Sequence, residues 1–232
     1  MGLEIEMPLN PESEKTRRAV CLISGGLDST VAAAVAKNEG FELYFLFLNY
    51  GQKTLEKEQE CVEKLAKHYK PQEIRSININ WLRDFGKSAL FDPEIPLNEK
   101  NFLLEYVPFR NSIFLSAATA WAETLGADAI FVGSSGGDHI CPDNSPQYLR
   151  AFQEVITEGT MLKNDIKIEA PLIKTDKNGA VQMGKELYVP FELTWSCHNN
   201  TDVACGHCSN CKARIEAFTN SGEIDPIPYQ KT

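Results

Sequence analysis

Four short apolar runs separated by longer helical patterns constrain this chain more than any other feature. The runs lie at 19–23, 41–48, 73–79 and 129–132. The second is nearly continuous in apolar residues, as a strand buried on both faces must be. The third alternates loosely through Ile74, Ile77 and Ile79. Between the runs, 29–38 is Ala-rich and is followed by Gly40, and 55–69 puts Cys61, Val62, Leu65 and Tyr69 on one helical face. Residues 111–125 carry Phe114, Ala117, Ala118, Trp121 and Leu125 at the spacing of an amphipathic helix. Strand–helix–strand alternation of this kind predicts an α/β fold, a Rossmann-like parallel sheet with helices on both faces. Ligands of such sheets bind beyond the carboxyl ends of the strands. That rule singles out 24–29, 49–52, the loop around 108–111 and 133–143. The stretch 85–108 holds Pro93, Pro96 and Pro108 without a clean period, and is expected to be a loop or lid over the site.

From Trp195 onward the composition shifts to Cys, Asn, His and Gly. The expected organisation is a main domain over 1–193 and a small C-terminal module over 194–232 packed on it. A chain of 232 residues buries enough surface to need no disulfides. Its formal charge of −9 repels phosphate backbones, which argues against a nucleic-acid partner. The longest apolar run, 43–48, is too short to span a bilayer, and the first eighteen residues hold no apolar signal core. A cytoplasmic chain without a membrane partner is the expectation. Its seven cysteines then read as thiols and metal ligands. A monomer and a homodimer both fit.

Ser24-Gly25-Gly26-Leu27-Asp28-Ser29-Thr30 stands between a strand and a helix. Glycines there bring backbone N–H groups close to an anion, and the helix adds its unpaired N-terminal amides and positive dipole end. Ser24, Ser29 and Thr30 add hydroxyls. The loop holds no lysine, so it is not a Walker A loop, and it is not G-x-G-x-x-G either. Asp28 suits either Mg²⁺ between phosphates or a helix cap. The string resembles the PP-loop of the ATP-pyrophosphatase superfamily. That resemblance implies that ATP is held by its β,γ-pyrophosphate while a substrate oxygen attacks the α-phosphorus. The loop would stabilise charge on the departing pyrophosphate.

Cys197, Cys205, Cys208 and Cys211 are spaced C-x7-C-x2-C-x2-C, with Gly206 and Asn210 allowing tight turns. Four thiolates in so short a segment suit a closed tetrahedral Zn²⁺ site of structural type, with an iron–sulfur cluster as the rival. His198 and His207 are expected to be solvated, since four thiolates fill the shell. Cys21 and Cys61 read as small core hydrophobes.

With both motifs in one short chain, the sequence resembles the QueC family. The matching pieces are 24–29, Asn49-Tyr50-Gly51-Gln52, Val107-Pro108-Phe109-Arg110-Asn111, Phe131-Val132-Gly133, Ala170-Pro171-Leu172 with Lys177, and Thr194-Trp195-Ser196-Cys197 leading into the remaining cysteines. The resemblance implies conversion of 7-carboxy-7-deazaguanine, ammonia and ATP to 7-cyano-7-deazaguanine. The route runs through an adenylylated acid and an adenylylated amide, on the way to queuosine and archaeosine. It further implies a phosphate site at 24–30 and substrate contacts from Tyr50, Gln52, Arg110, Asn111, Asp143 and Trp195. Arg110, Lys177 and Asp138 are the catalytic candidates. The Arg110 fork matches a carboxylate or phosphate. Asn111 either touches ligand or caps the helix that follows. Lys177 either reaches the pyrophosphate in place of the missing loop lysine or is a solvated lysine. Tyr50 and Trp195 are candidates to stack on a purine-like ring, or are core aromatics. Asp143 would accept from the N–H groups of a guanine-like base. Asp138 and His139 either serve a proton transfer or belong to a polar loop.

One segment departs from the family. Many bacterial members carry Asp-Tyr-Ser-Gly-Tyr-Pro-Asp-Cys-Arg after Val-Gly. Here 134–145 reads Ser-Ser-Gly-Gly-Asp-His-Ile-Cys-Pro-Asp-Asn-Ser, two residues shorter, and its Pro-Asp-Asn form resembles archaeal-type members. An alternative therefore stands beside the nitrile synthase: a relative that couples a deazapurine carboxylate to another amine, such as a protein N-terminus, or stops at the amide.

Overall fold

The computed structural model describes residues 16–97, 102–136, 141–161 and 166–230. Five parallel strands form one sheet: β1 (Arg18–Leu22), β2 (Glu42–Asn49), β3 (Glu73–Asn78), β4 (Ala129–Phe131) and β5 (Lys167–Glu169). Their order is β3-β2-β1-β4-β5. In register, Cys21 of β1 stands between Phe45 of β2 and Phe131 of β4. Among the described residues six α-helices flank the sheet: α1 (Leu27–Asn38), α2 (Leu55–Tyr69), α3 (Arg110–Leu125), α4 (Pro146–Gly159), α5 (Lys177–Glu186) and α6 (Ser209–Asn220).

The period of two along each strand splits the apolar residues between two cores. Ala19, Cys21, Phe45, Phe47 and Phe131 face one side, against Val31 of α1, Leu65 of α2, Val181 of α5 and Phe218 of α6. Val20, Leu46, Leu48 and Ile130 face the other, against Leu115, Ala118 and Trp121 of α3 and Phe152 and Ile156 of α4. The α3 stripe read from the sequence is thus on the buried face, with Phe114, Ala117 and Leu125 packed along its margin. Strand β3 is an edge strand, and Ile74 on it is 46% exposed, which is why its alternation is loose. The stretch expected to be a loop, 85–108, follows a short 3-10 turn at Asn80–Phe85, holds another at Phe102–Glu105, and buries Ala89, Leu90 and Phe91.

Helix α6 belongs to both cores of the C-terminal region. It sends Ala217 and Phe218 into the main core and Cys211 into a small cluster with Trp195, Cys197, Cys205 and Cys208. Arg214, wholly buried, ties these together. Its Nε and Nη2 donate to the two oxygens of Asp225 at 2.7 and 3.0 Å, and Nη1 donates to Thr194 Oγ1 at 2.7 Å. Nη2 also donates to the Phe191 carbonyl at 3.0 Å. Removing one partner of a buried ion pair strands the other charge. Arg214→Met is expected to destabilise the fold by about 3–5 kcal/mol, read as a lower urea midpoint at unchanged slope. A shift corresponding to less than about 1 kcal/mol would contradict this account of the region.

Candidate active site

A cavity of about 810 Å³ opens beyond the carboxyl ends of β1, β2 and β4. It lies where the strand order reverses between β1 and β4, the switch point of an open parallel sheet. Its floor is the turn from β1 into α1. Gly25 has φ +76°, and a Cβ there would stand 2.8 Å from the Glu58 carbonyl oxygen and 2.9 Å from Cys61 Cβ. Only glycine fits that close approach to α2. Gly133, at the end of β4, is equally confined, since its Cβ would lie 2.6 Å from Ser29 N. The turn is therefore clamped between α2 and the segment that follows β4.

The hydroxyls of the turn brace it from within. Ser24 Oγ and Ser29 Oγ are 3.0 Å apart, and Ser29 Oγ and Thr30 Oγ1 donate to the Gly26 carbonyl at 3.1 and 2.7 Å. Anion binding thus falls to the amides. No side chain caps α1, whose N-cap is Gly26 in extended conformation. Leu27, Asp28 and Ser29 open the helix at the cavity wall, so its orphan N–H groups and dipole face the open space. Asp28 is not a cap: its Oδ2 receives an ion pair from Lys177 Nζ, the first residue of α5. The other oxygen, Oδ1, is buried with no hydrogen-bond partner. The contact brings a lysine to the turn from 149 residues downstream.

Across the cavity, Arg110 opens α3. Its guanidinium lies 5.2 Å from the centroid of the Tyr50 ring and 5.8 Å from that of Phe114, and Nη1 donates to Tyr50 Oη at 3.3 Å. Arg110 Nε is buried without a partner. Burial pushes the Tyr50 phenol up to about 12, with Arg110 pulling it down. Asn111 does not cap α3; its N–H and Nδ2 donate to Asp143 at 2.9 and 3.3 Å, and Ser112 N–H donates to the same carboxylate. Asp143 thus stands at the head of α3 as its anionic partner. Gln52 is held by Tyr50 N–H, which donates to its Oε1, and its Nε2 donates to Glu58 at 2.7 Å. Trp195 lines the cavity, and its Nε1 donates to the Cys197 and Asn200 carbonyls. Among the expected phosphate residues, Ser24, Gly26, Leu27, Asp28 and Ser29 line the cavity, while Gly25 and Thr30 stand behind them. Asp138 and His139 lie outside the described residues.

Beside the cavity, the sulfur atoms of Cys197, Cys205, Cys208 and Cys211 all lie within 4.8 Å of one another, and all four side chains are buried. Backbone N–H groups of Asn200, Cys205, Cys208 and Cys211 point at sulfurs of the set at 3.3–3.4 Å. Such donors favour thiolates, so the set fits a closed metal site. His198 corrects the sequence reading. Far from being solvated, its Nδ1 sits 3.2 Å from Glu105 Oε2 and 3.1 Å from Asn210 Nδ2 on the cavity wall. His207 is exposed and hydrogen-bonds the Cys205 carbonyl.

A family model described as queuosine biosynthesis protein QueC matches residues 18–222. The chain belongs to the QueC family. A 7-cyano-7-deazaguanine synthase of Methanospirillum hungatei JF-1 is 41% identical over 219 residues, covering 92% of this chain and all of the relative. One of a Sulfurovum species is 42% identical over 224 residues, covering 93% and 99%. One of Chlorobium phaeobacteroides is 42% identical over 220 residues, covering 92% and 97%. This QueC chain is an ATP-dependent enzyme, and its four clustered cysteines could hold a metal ion. Among its described residues no helix is long and apolar enough to cross a membrane.

Three cavity residues of this QueC chain escaped the sequence reading: Glu58, Glu105 and His198 as a pocket group. Glu58 carries the clearest perturbation. Burial pushes its carboxyl up, while hydrogen bonds from Gln52 and Thr54 and the nearby His198 and Arg110 pull it down.

Proposed function

We propose that this chain makes 7-cyano-7-deazaguanine from 7-carboxy-7-deazaguanine, ammonia and ATP, in the supply of queuosine and archaeosine precursors. One arrangement supports the reading above all: the uncapped start of α1 with Lys177 shares one cavity with Arg110, whose buried Nε has no hydrogen-bond partner. The first is a place for pyrophosphate and the second for a carboxylate. The acid oxygen attacks the α-phosphorus, and pyrophosphate departs against the amides of 27–29 and the Lys177 ammonium. Ammonia then displaces AMP to give the amide. The amide oxygen is adenylylated in turn, and loss of AMP with both N–H protons leaves the nitrile. Each round turns a poor leaving oxygen into a phosphate ester, which is the role of the ATP. Tyr50 and Trp195 offer ring faces beside the base.

The four cysteines fit Zn²⁺, which would cross-link the chain from Cys197 to α6 and fix Trp195 at the cavity. The unpartnered Asp28 Oδ1 fits Mg²⁺ carried in with the triphosphate, which would offset phosphate charge. The acidic chain, at −9, is no partner for a nucleic acid backbone. Incubation of the protein with the acid, ammonium, ATP and Mg²⁺ is expected to yield the nitrile by mass spectrometry, with AMP and pyrophosphate. Pyrophosphate release that ends at the amide would move the chain to the amide-forming relative. No pyrophosphate release with this acid would overturn the reading.

A further inference from the structure

Resting on that reading, we propose that Glu58 is the proton acceptor for ammonia, the group that takes the N–H proton as nitrogen attacks the adenylylated acid. Glu58 lies on α2, on the cavity wall with Tyr50, Gln52, Arg110, Glu105 and His198. Its two oxygens are held in place from the side of the chain. Gln52 Nε2 donates to Oε2 at 2.7 Å and Thr54 Oγ1 donates to Oε1 at 2.7 Å. Gln52 is itself fixed, because Tyr50 N–H donates to its Oε1. A carboxylate has about four acceptor positions, so each oxygen keeps one for an incoming N–H.

The surroundings suit this task. Arg110 from α3 and His198 from the cysteine loop are the charges that act on Glu58 across the cavity. Tyr50 faces it from the end of β2, and Glu105 stands behind His198. On its own helix, Lys57 leans over the Trp195 ring, 5.0 Å from its centroid, and Cys61 is buried. Burial raises the Glu58 carboxyl toward the range where a base works near neutrality, while the two hydrogen bonds keep its ionised form accessible. Arg110 holds the carboxyl group of the substrate, so acceptor and electrophile meet in one cavity.

The step balances as follows. The nitrogen lone pair forms the C–N bond, and one N–H proton passes to Glu58. The C–O bond to AMP then breaks, and AMP leaves with its electron pair. Glu58 returns the proton to water. In the second round the adenylylated amide sheds one N–H proton to water to become the neutral imidate, and the same carboxylate takes the last N–H proton as the C–O bond to AMP breaks and the third C–N bond forms. A single base thus serves both halves of the reaction.

Glu58→Gln keeps the shape and the hydrogen bond to Gln52 while removing the base. It is expected to leave acid-dependent exchange of pyrophosphate into ATP within about threefold of the parent. Amide formation from ammonia should fall by about 10²–10⁴. The acidic limb of the pH profile for amide formation should vanish with it. Hydroxylamine, a stronger nucleophile that relies less on a base, should restore most of the rate as the hydroxamate. Amide formed from ammonia at the parent rate would overturn the proposal. So would an equal fall in pyrophosphate exchange, since Glu58 would then support the cavity as a whole and not the ammonia step. Failure of exchange in the parent protein would instead remove the functional reading itself, which keeps the two failures distinct.

Discussion

Lys177→Met is expected to slow pyrophosphate release by about 10²–10³ while scarcely changing stability. The turn from β1 to α1 carries no cation, and the Lys177 ammonium on Asp28 is the charge that α5 brings to it. In the proposed reaction charge grows on the bridging oxygen and the β,γ-phosphates as the α-phosphorus is attacked, so a fixed ammonium there would act mainly in the transition state. The fall would therefore show in kcat more than in the KM for ATP. The two side chains are 27% and 24% exposed, so the ion pair itself contributes little to folding, about 1 kcal/mol or less. Single-turnover pyrophosphate release and urea unfolding measure the two quantities. A rate within threefold of the parent would show that the pair only anchors α5.

Removal of the metal is expected to abolish activity and loosen the C-terminal third of the fold. The four sulfurs join the segment before Asn200 to the first turn of α6, and Cys208 is the N-cap of that helix. Trp195 sits in the same small cluster, and its N–H donates to the Gly25 carbonyl of the phosphate turn at 2.9 Å. Without a shared ion, four crowded thiols lose the charge compensation that holds them together. Cys211→Ser is expected to yield protein without its equivalent of metal. A loss of about 4 kcal/mol corresponds to a fall of about 8–16 °C in Tm for a chain of this size. Pyrophosphate release should drop below about a tenth, because the turn loses its Trp195 anchor. Metal analysis, a thermal melt and the release assay test this together. Full activity in metal-free protein would detach the cysteine cluster from the site.

The legibility of this fold in its sequence follows physical lines. Helix α2 was read to its ends because Leu55 and Tyr69 bracket a regular apolar stripe. Helix α4 was missed although Ser145-Pro146 is a start signal. Ser145 Oγ accepts from Tyr148 N–H, Pro146 takes the first position, and Leu149, Phe152 and Ile156 follow at helical spacing. Helix α5 was hidden by Gly179 and Gly184, which lower its propensity. Gly184 is there for packing, since a Cβ would stand 2.4 Å from the Phe191 ring. Strand β5 is three residues, Lys-Ile-Glu, with no apolar run, and only its pairing with β4 makes it a strand. Arg214 carries no sign of burial in the sequence, and its five hydrogen bonds come from the C-terminal region around it.

The sequence by itself determined four of the strands, the glycine turn after β1 and the cysteine set. Each of these is written in local order, as a period, a glycine pair at a strand end, or a spacing. The tertiary structure alone decided what faces the cavity. It delivered Lys177 to Asp28, turned Asp143 toward α3 and away from a role legible by motif, and placed Glu58, Glu105 and His198 on one wall. Those pairings join residues far apart in the chain, and a charged side chain looks solvated until the elements packed around it are known.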